Sequence, residues 1–349
     1  MVTAILSDFE TRDFEQLVLC HDPEAGLRSV IAVHDTTLGP SLGGVRMRAY
    51  PTQADAIRDA MNLAQAMTYK SALAGLNLGG GKSVINAPAT SPNRTALLTR
   101  HAQYIASLGG RYIPGADMGT TARDMDLLAQ WVPKVSSRRD PSRFTALGVL
   151  RSIEAAQTWA GESRSLAGQR VAVQGLGKVG LHLVELLRAE GAEVLAADVD
   201  PDRVTRAQRA YGATAVPVED ILGADVDIVC PCAAGGVVTE PVVDALKARM
   251  VIPAANNALA SESLADFLAA RGIVHVPDFV ANAGGVISCE AEVRGNDDEL
   301  DAKIDAIGDT TTAILREASE RGLDVVTVAN ELAIRRLESR RRQRPHFSR

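Results

Sequence analysis

The chain has 349 residues, 46% hydrophobic and 23% charged, a length that suggests two domains and a core large enough to need neither disulfides nor metals. A formal net charge of −6 gives no general electrostatic case for nucleic acid as a partner. Four scattered cysteines (Cys20, Cys230, Cys232, Cys289) make no disulfide framework, and six histidines show no metal-ligand spacing, so no structural metal is expected.

The N-terminus carries acids and no apolar run of signal-peptide length. No apolar stretch approaches the ~18 residues of a membrane helix, so no membrane attachment and, by default, a cytoplasmic location are expected. FEQLVLCH (14–21) and LRSVIAVHD (27–35) are β-rich, and the turn chemistry of DPEAG between them predicts a hairpin. GPSLGG (39–44) reads as a loop. Thr52 with Asp55 resembles a capping box, opening a helix with Ile57, Ala60, Met61, Ala64 and Met67 on one face and Arg58 and Asp59 off it. That helix ends before GLNLGGGK, whose glycines read as loop, and SVINA (83–87) reads as the strand leaving it. RYI is the next strand, and Asp117 sits in a turn-like loop after it.

The polar, proline-interrupted VPKVSSRRDPSRF (132–144) marks a domain boundary. Residues 1–135 then form a substrate or catalytic domain and 136–320 a dinucleotide domain. In the second, apolar β-type runs begin at Val171, Val194, Val226, Val251 and Val274, with helix-like stretches or loops between most of them. That is the pattern of a parallel sheet covered on both faces. Cys230 and Cys232, in the apolar run DIVCPCA, read as small core residues. From Asp301 to about Glu338 the pattern is helical, and the helix of about 320–349 is a candidate to pack back on the first domain. The basic tail RRRQRPHFSR reads as a frayed, solvated terminus, with a partner-binding tail as the alternative. The expected fold class is α/β: an N-terminal α/β substrate domain and a Rossmann-type doubly wound domain.

RVAVQGLGKVGLHLVELL carries G-x-G-x-x-G at Gly175, Gly177 and Gly180, with Lys178 and Val179 between the last two. A strand precedes it and a helix follows, which gives the motif its weight. The first glycine permits the tight turn, the second lets a pyrophosphate reach the backbone, and the third lets helix and strand pack closely. Asp198 ends the next strand 18 residues after Gly180, near the ~20 expected of an acid that binds the adenosine ribose. A carboxylate there favours NAD over NADP; Arg203 close by keeps NADP open.

In the first half, MTYKSALAGLNLGGGKSVI holds Lys70 and Lys82. GGGKS is not a phosphate-binding loop, because Leu76 stands where such a motif needs glycine. A lysine beside another cation in a water-poor cleft has its pKa lowered and becomes a usable general base. Asp117, in GRYIPGADMGTTARDMD, would hold Lys82 and exchange protons with an amine.

These segments, with GPSLGGVRM, VQGLGKVG, AANN and PDFVANAGGVI, resemble the glutamate/leucine/phenylalanine/valine dehydrogenases, in the branch acting on hydrophobic amino acids. The resemblance implies two domains with an active site in a cleft that opens and closes. It implies that Lys70 binds the substrate carboxylate with the Gly43–Gly44 turn close by, that Lys82 activates water as general base, and that Asp117 moves protons to and from the amino group. Asn282 would contact the substrate, and Thr145 and Asn256 the nicotinamide end of NAD. Leu42, Gly115, Val286 and Cys289 match side-chain pocket positions; all are small or apolar, which disfavours glutamate. Glycine at 115 resembles the phenylalanine enzymes, while the lysine stretch resembles the leucine branch. The reaction implied is NAD-dependent reversible oxidative deamination of a hydrophobic L-amino acid, phenylalanine or leucine-like, to the 2-oxo acid and ammonia, by a homo-oligomer. Two other readings are an NAD- or amino-acid-binding regulator on the same fold and a dehydrogenase of a hydroxy acid or modified amino acid.

Overall fold

A computed structural model describes residues 2–136 and 139–343. Residues 344–349, most of the basic tail, lie outside them. The chain divides into two compact units. The first comprises the described residues of Met1–Asp140, Cys289–Asp297 and Ala333–Arg349, the second Pro141–Ser288 and Asp298–Leu332. The division after Asp140 replaces the one expected after 135, Cys289–Asp297 clusters with the first unit, and the second runs to Leu332 rather than 320.

The first unit opens with helix α1 (Val2–Thr11) and a five-stranded sheet ordered β1-β2-β4-β3-β5. The strands are β1 (Gln16–Asp22), β2 (Leu27–Asp35), β3 (Ser41–Arg48), β4 (Gly79–Asn86) and β5 (Tyr112–Ala116). The β1–β2 hairpin is antiparallel with Asp22 opposite Leu27; β4 runs antiparallel to β2 and parallel to β3, which is parallel to β5. Side chains alternate across the sheet. Val30, Ala32 and Val84 face helix α2 (Gln53–Leu73) through Ala56, Ile57, Ala60, Met61 and Ala64. Ile31, Val33, Val45, Met47 and Ile85 face the other way, onto α3 (Arg94–Ala106) and α4 (Ala122–Leu128). Thr52 and Asp55 form the expected capping box of α2, whose Met67 is only half-buried.

Two segments read as loops are strands. GPSLGG runs into β3, and GGGK begins β4. Glycine scores poorly for strands because it has no side chain to pack, but here close approach requires it. A Cβ on Gly80 would lie 2.1 Å from the Thr68 nitrogen of α2, and one on Gly43 would lie 1.7 Å from the Gly81 carbonyl oxygen.

The second unit contains a six-stranded, wholly parallel sheet ordered β11-β10-β9-β6-β7-β8. In chain order the elements are α5 (Ser142–Trp159), β6 (Arg170–Gln174), α6 (Lys178–Ala189), β7 (Glu193–Ala197), α7 (Pro201–Tyr211), β8 (Thr214–Ala215), β9 (Ile228–Pro231), α8 (Glu240–Ala245), β10 (Met250–Val251), α9 (Leu264–Ala270), β11 (Val274–His275), α10 (Asp278–Ala281) and α11 (Gly284–Arg294). α12 (Leu300–Arg321) and α13 (Val325–Gln343) follow. The strand order reverses beside β6, the switch point of a doubly wound sheet. Strand β8, two exposed residues, lies in the long interval between Val194 and Val226 and has no apolar run to betray it. Cys230 is buried in β9 among the core residues.

Within the first unit, α13 supplies Ala333 and Leu337 to a cluster with Leu38 and Ala72. Its Arg336 donates to the carbonyls of Ser71, Ala72 and Leu76 (2.8 Å to Leu76), and Arg341 pairs with Asp35 at 2.6 Å. These bonds add to those that the Ser71 and Ala72 carbonyls already accept from the Leu76 and Gly75 N–H groups. No helix among the described residues is long and apolar enough to cross a membrane.

Candidate active site

Strand alternation puts Gly80, Lys82 and Val84 on the α2 side of β4, and Arg46 of β3 on the same side. Lys82 is 6% exposed, and its Nζ lies 2.9 Å from Oδ2 of Asp117, the residue that follows β5. Arg46 donates through Nε to the same oxygen at 2.8 Å and through a terminal nitrogen to Oδ2 of Asp59 on α2 at 2.9 Å. The Tyr50 hydroxyl also donates to Asp59 Oδ2. Gly44 makes room for this arrangement, since a Cβ there would come 2.6 Å from the Asp117 Cβ.

Burial pushes the Lys82 pKa below its ordinary value; Asp117 opposes the shift and Arg46 adds to it. Burial alone would raise the Asp117 carboxyl, but Lys82 and Arg46 outweigh it and hold the group at about 2. In the free site Asp117 is therefore an anion, and Lys82 is the member of the pair that loses its proton as pH rises. The contacts that Lys82 and Arg46 make with Asp117 both converge on Oδ2.

Lys70 sits in the last turn of α2, not in a loop, and is half-buried. The tight approach of Gly80 to Thr68 brings that end of the helix over β4, two residues from Lys82. Leu42 is buried on β3 opposite Gly80. Gly43 and Gly44 lie within β3, beside Pro114 and Gly115, so the expected turn is a strand. A Cβ on Gly115 would meet only Ser136, at 3.6 and 3.7 Å. The Ser136 hydroxyl donates to Glu292, one helical turn from Cys289 on α11.

In the second unit, Gly175 has φ +95° and donates its N–H to the Ala197 carbonyl at 2.7 Å. A Cβ on Gly180 would lie 1.9 Å from the Gly175 oxygen, whereas one on Gly177 would enter open space. Gly177 caps α6, and Lys178 and Val179 form its first turn, where free N–H groups and the helix dipole suit a phosphate. Asp198 follows β7; its carboxylate accepts from Leu176 N–H at 2.6 Å and Asp200 N–H at 2.9 Å, with Arg203 3.6 Å away. These residues fit a dinucleotide: an open approach over Gly177, a helix N-terminus, and an acid at the end of the second strand.

Asn282 is nine-tenths buried. Its amide donates to Asn256 Oδ1 at 2.8 Å and to the Ala254 carbonyl at 3.1 Å, while its own Oδ1 has no partner among the described residues. Asn257 adopts φ +52°, a costly conformation outside glycine. Thr145, in the first turn of α5, lies against Gly285, where a Cβ would come 2.6 Å from its hydroxyl. Val286, on α11, is buried.

Comparison with known proteins gives the family. Residues 14–134 match the family model described as the Glu/Leu/Phe/Val dehydrogenase dimerisation domain, and residues 200–344 match that of Glutamate/Leucine/Phenylalanine/Valine dehydrogenase. The chain is 41% identical over 346 residues to the leucine dehydrogenase of Geobacillus stearothermophilus, covering 97% of this chain and 94% of that one. The chain belongs to the Glu/Leu/Phe/Val dehydrogenase family. It is also 42% identical over 341 residues to the valine dehydrogenase of Streptomyces albus, covering 95% of this chain and 94% of that one. The crystal structure of L-tryptophan dehydrogenase from Nostoc punctiforme superposes with a TM-score of 0.87 at 37% identity, covering 97% of this chain and 99% of that one.

As a member of this family the chain is an amino-acid dehydrogenase of the hydrophobic branch, on a two-domain α/β fold with a Rossmann-like domain. Arg46, Tyr50 and Asp59 were missed in the sequence. Asp59 stands off the apolar face of α2 and passes for a solvated charge. The signal that would have found Arg46 is parity: once GGGKSVI is read as a strand beside SLGGVRM, Lys82 and Arg46 fall on one face.

Proposed function

We propose that the chain catalyses the NAD-dependent, reversible oxidative deamination of a hydrophobic L-amino acid to the 2-oxo acid and ammonia. The observation that carries this reading is the buried Lys82, held on one oxygen of Asp117 while the other oxygen is left for a substrate. Lys70 supplies the cation for the substrate carboxylate. Asp117 takes a proton from the substrate ammonium, and Asn282 Oδ1 offers an acceptor to the substrate. NAD, held over Gly177 at the N-terminus of α6 with its ribose on Asp198, would supply the acceptor for the hydride that leaves the substrate Cα. Neutral Lys82 removes a proton from the water that adds to the resulting imine, Asp117 returns its proton to nitrogen, and as ammonia leaves the hydroxyl proton of the adduct passes to solvent and the 2-oxo carbonyl forms.

Leu42, Gly115, Val286 and Cys289 bring no cation for a second carboxylate, so the side chain bound is hydrophobic, phenylalanine or leucine in the first instance. The test is nicotinamide reduction against the panel of standard L-amino acids, with NAD and with NADP. A signal with phenylalanine or leucine supports the reading; silence with intact NAD binding overturns it. An added Cβ at Gly115 meets only Ser136, at ordinary contact distance, so Gly115→Ala fits the fold without strain. It should shift kcat/KM from phenylalanine towards smaller side chains by roughly 10-fold or more, as one methylene is worth ~1–3 kcal/mol. An unchanged ratio would remove Gly115 from the pocket.

The acid at Asp198 favours NAD. Asp198→Ala should raise the Kd for NAD by about 10-fold and that for NADP by less, because the repulsion of a 2′-phosphate goes and Arg203 is released. An unchanged NAD/NADP ratio in a binding titration would count against the ribose role. A homo-oligomer is proposed as well, supported by the dimerisation-domain match over residues 14–134; light scattering on the purified chain decides it.

A further inference from the structure

We propose that Arg46 is a positioning residue for the deamination chemistry: it pins Asp117 Oδ2, presents Oδ1 to the substrate nitrogen, and leaves Lys82 free to give up its proton. The inference rests on the reading of Lys82 as base and Asp117 as proton carrier.

Two cations share one carboxylate oxygen, Lys82 at 2.9 Å and Arg46 at 2.8 Å. A lysine alone with a buried aspartate would be locked as an ammonium by its partner. A second, permanent cation on the same oxygen changes that balance. Guanidinium keeps its charge at every working pH, so Arg46 satisfies Asp117 whether or not Lys82 is protonated. Loss of the Lys82 proton then leaves no bare buried carboxylate.

The planar side chain of Arg46 also spans two carboxylates, and Asp59 anchors its far end at 2.9 Å with Tyr50 on the same oxygen. Asp117 is thereby held by a fork fixed at both ends, which a flexible point charge cannot reproduce. Arg46 from β3, Tyr50 with the Arg48 guanidinium over its ring, Asp59 from α2 and His34 from β2 stand on the Lys82 face of the sheet, while Tyr112 of β5 and His101 of α3 reach Ser83 on the opposite face. Burial lowers both histidines, His101 to about 3, and raises both tyrosines. Lys82 is accordingly the group whose titration should shape the activity profile on the alkaline side.

The experiment compares wild-type, Arg46→Gln and Arg46→Lys in the full chain. Three quantities are read: the pH profile of kcat/KM for oxidative deamination of the best amino acid, the Kd for NAD, and the pH midpoint of Lys82 reductive methylation by formaldehyde and borane, followed on the Lys82 peptide by mass spectrometry. In Arg46→Gln the rising limb and the methylation midpoint should both move up by about one pH unit or more. At neutral pH kcat should fall roughly 10- to 100-fold, KM should move less than about threefold, and NAD binding should hold. Arg46→Lys should recover part of the shift and not all of it.

A wild-type limb and midpoint in Arg46→Gln, with only a lower Tm, would make Arg46 a structural residue and overturn the proposal. Should that variant not fold, Arg46→Lys carries the test, and an unshifted limb and midpoint there overturns it equally. Lys82→Ala separates this inference from the function beneath it. Normal turnover in that variant would remove Lys82 as base, while the methylation midpoint in the Arg46 variants would still report what Arg46 does.

Discussion

Lys82→Ala should lower kcat by about 10²–10⁴-fold, the usual worth of a positioned acid–base group, while the Kd for NAD stays within about twofold. The first half of that expectation follows from burial. Lys82 is almost inaccessible and sits on Asp117, so no other described basic side chain shares its position on that oxygen except Arg46, which cannot lose a proton at working pH. The second half follows from where the residues proposed to hold NAD are: Gly175, Gly177, Gly180 and Asp198 all belong to the other unit. Steady-state kinetics with a parallel NAD titration check both. Turnover within about tenfold of wild-type would show that water is activated without Lys82. Since the lysine pKa is lowered, its proton is lost below the ordinary lysine range. Oxidative kcat/KM in the wild-type should therefore climb with pH and level off before pH ~10.4, the unperturbed lysine value. A profile still climbing beyond it would contradict the burial effect.

Gly43→Ala should cost about 3 kcal/mol or more, at or above the top of the usual range for overpacking, and should abolish most activity with it. The added methyl would meet the Gly81 carbonyl oxygen at 1.7 Å, and a carbonyl inside a strand has no rotamer by which to step aside. Relief requires β3 and β4 to part, and those strands carry Arg46 and Lys82. A fall in Tm of roughly 6–12 °C is the expected readout. Gly177→Ala is the matching control: its Cβ enters open space, so the fold should keep its Tm while NAD binding weakens. A Gly43→Ala protein with unchanged Tm and turnover would mean that the two strands tolerate separation.

Much of this was legible in the chain. The Thr52–Asp55 capping box, the β1–β2 hairpin and the glycine turn between β6 and α6 each carry a local signal that tertiary structure leaves intact. The glycine-rich strands were not legible, because the cause of their composition lies elsewhere. Gly80 answers to Thr68, twelve residues back, and Gly43 to Gly81 on the neighbouring strand. Asp59 was obscured for a related reason: a charge off the apolar face of a helix looks solvated until the partner strand delivers an arginine to it. Asp198 stands between these cases. Its spacing from Gly180 marks it as a ribose acid, yet nothing local shows that its carboxylate also ties down the Leu176 N–H of the glycine turn.

The clamp that Arg336 places on the end of α2 sets an order of events during synthesis. Lys70 leaves the ribosome early, and the side chain that adds its bonds to the Ser71, Ala72 and Leu76 carbonyls is made more than 250 residues later. Domains of a nascent chain generally fold in the order they emerge. Here the end of α2 is held only by its own backbone bonds, from Ala74, Gly75 and Leu76, until the whole second unit has been translated and Arg336 arrives. A chain cut between Leu332 and Arg336 should therefore keep the fold of the second unit, while amide protons at the Lys70 end of α2 exchange faster than in the full chain.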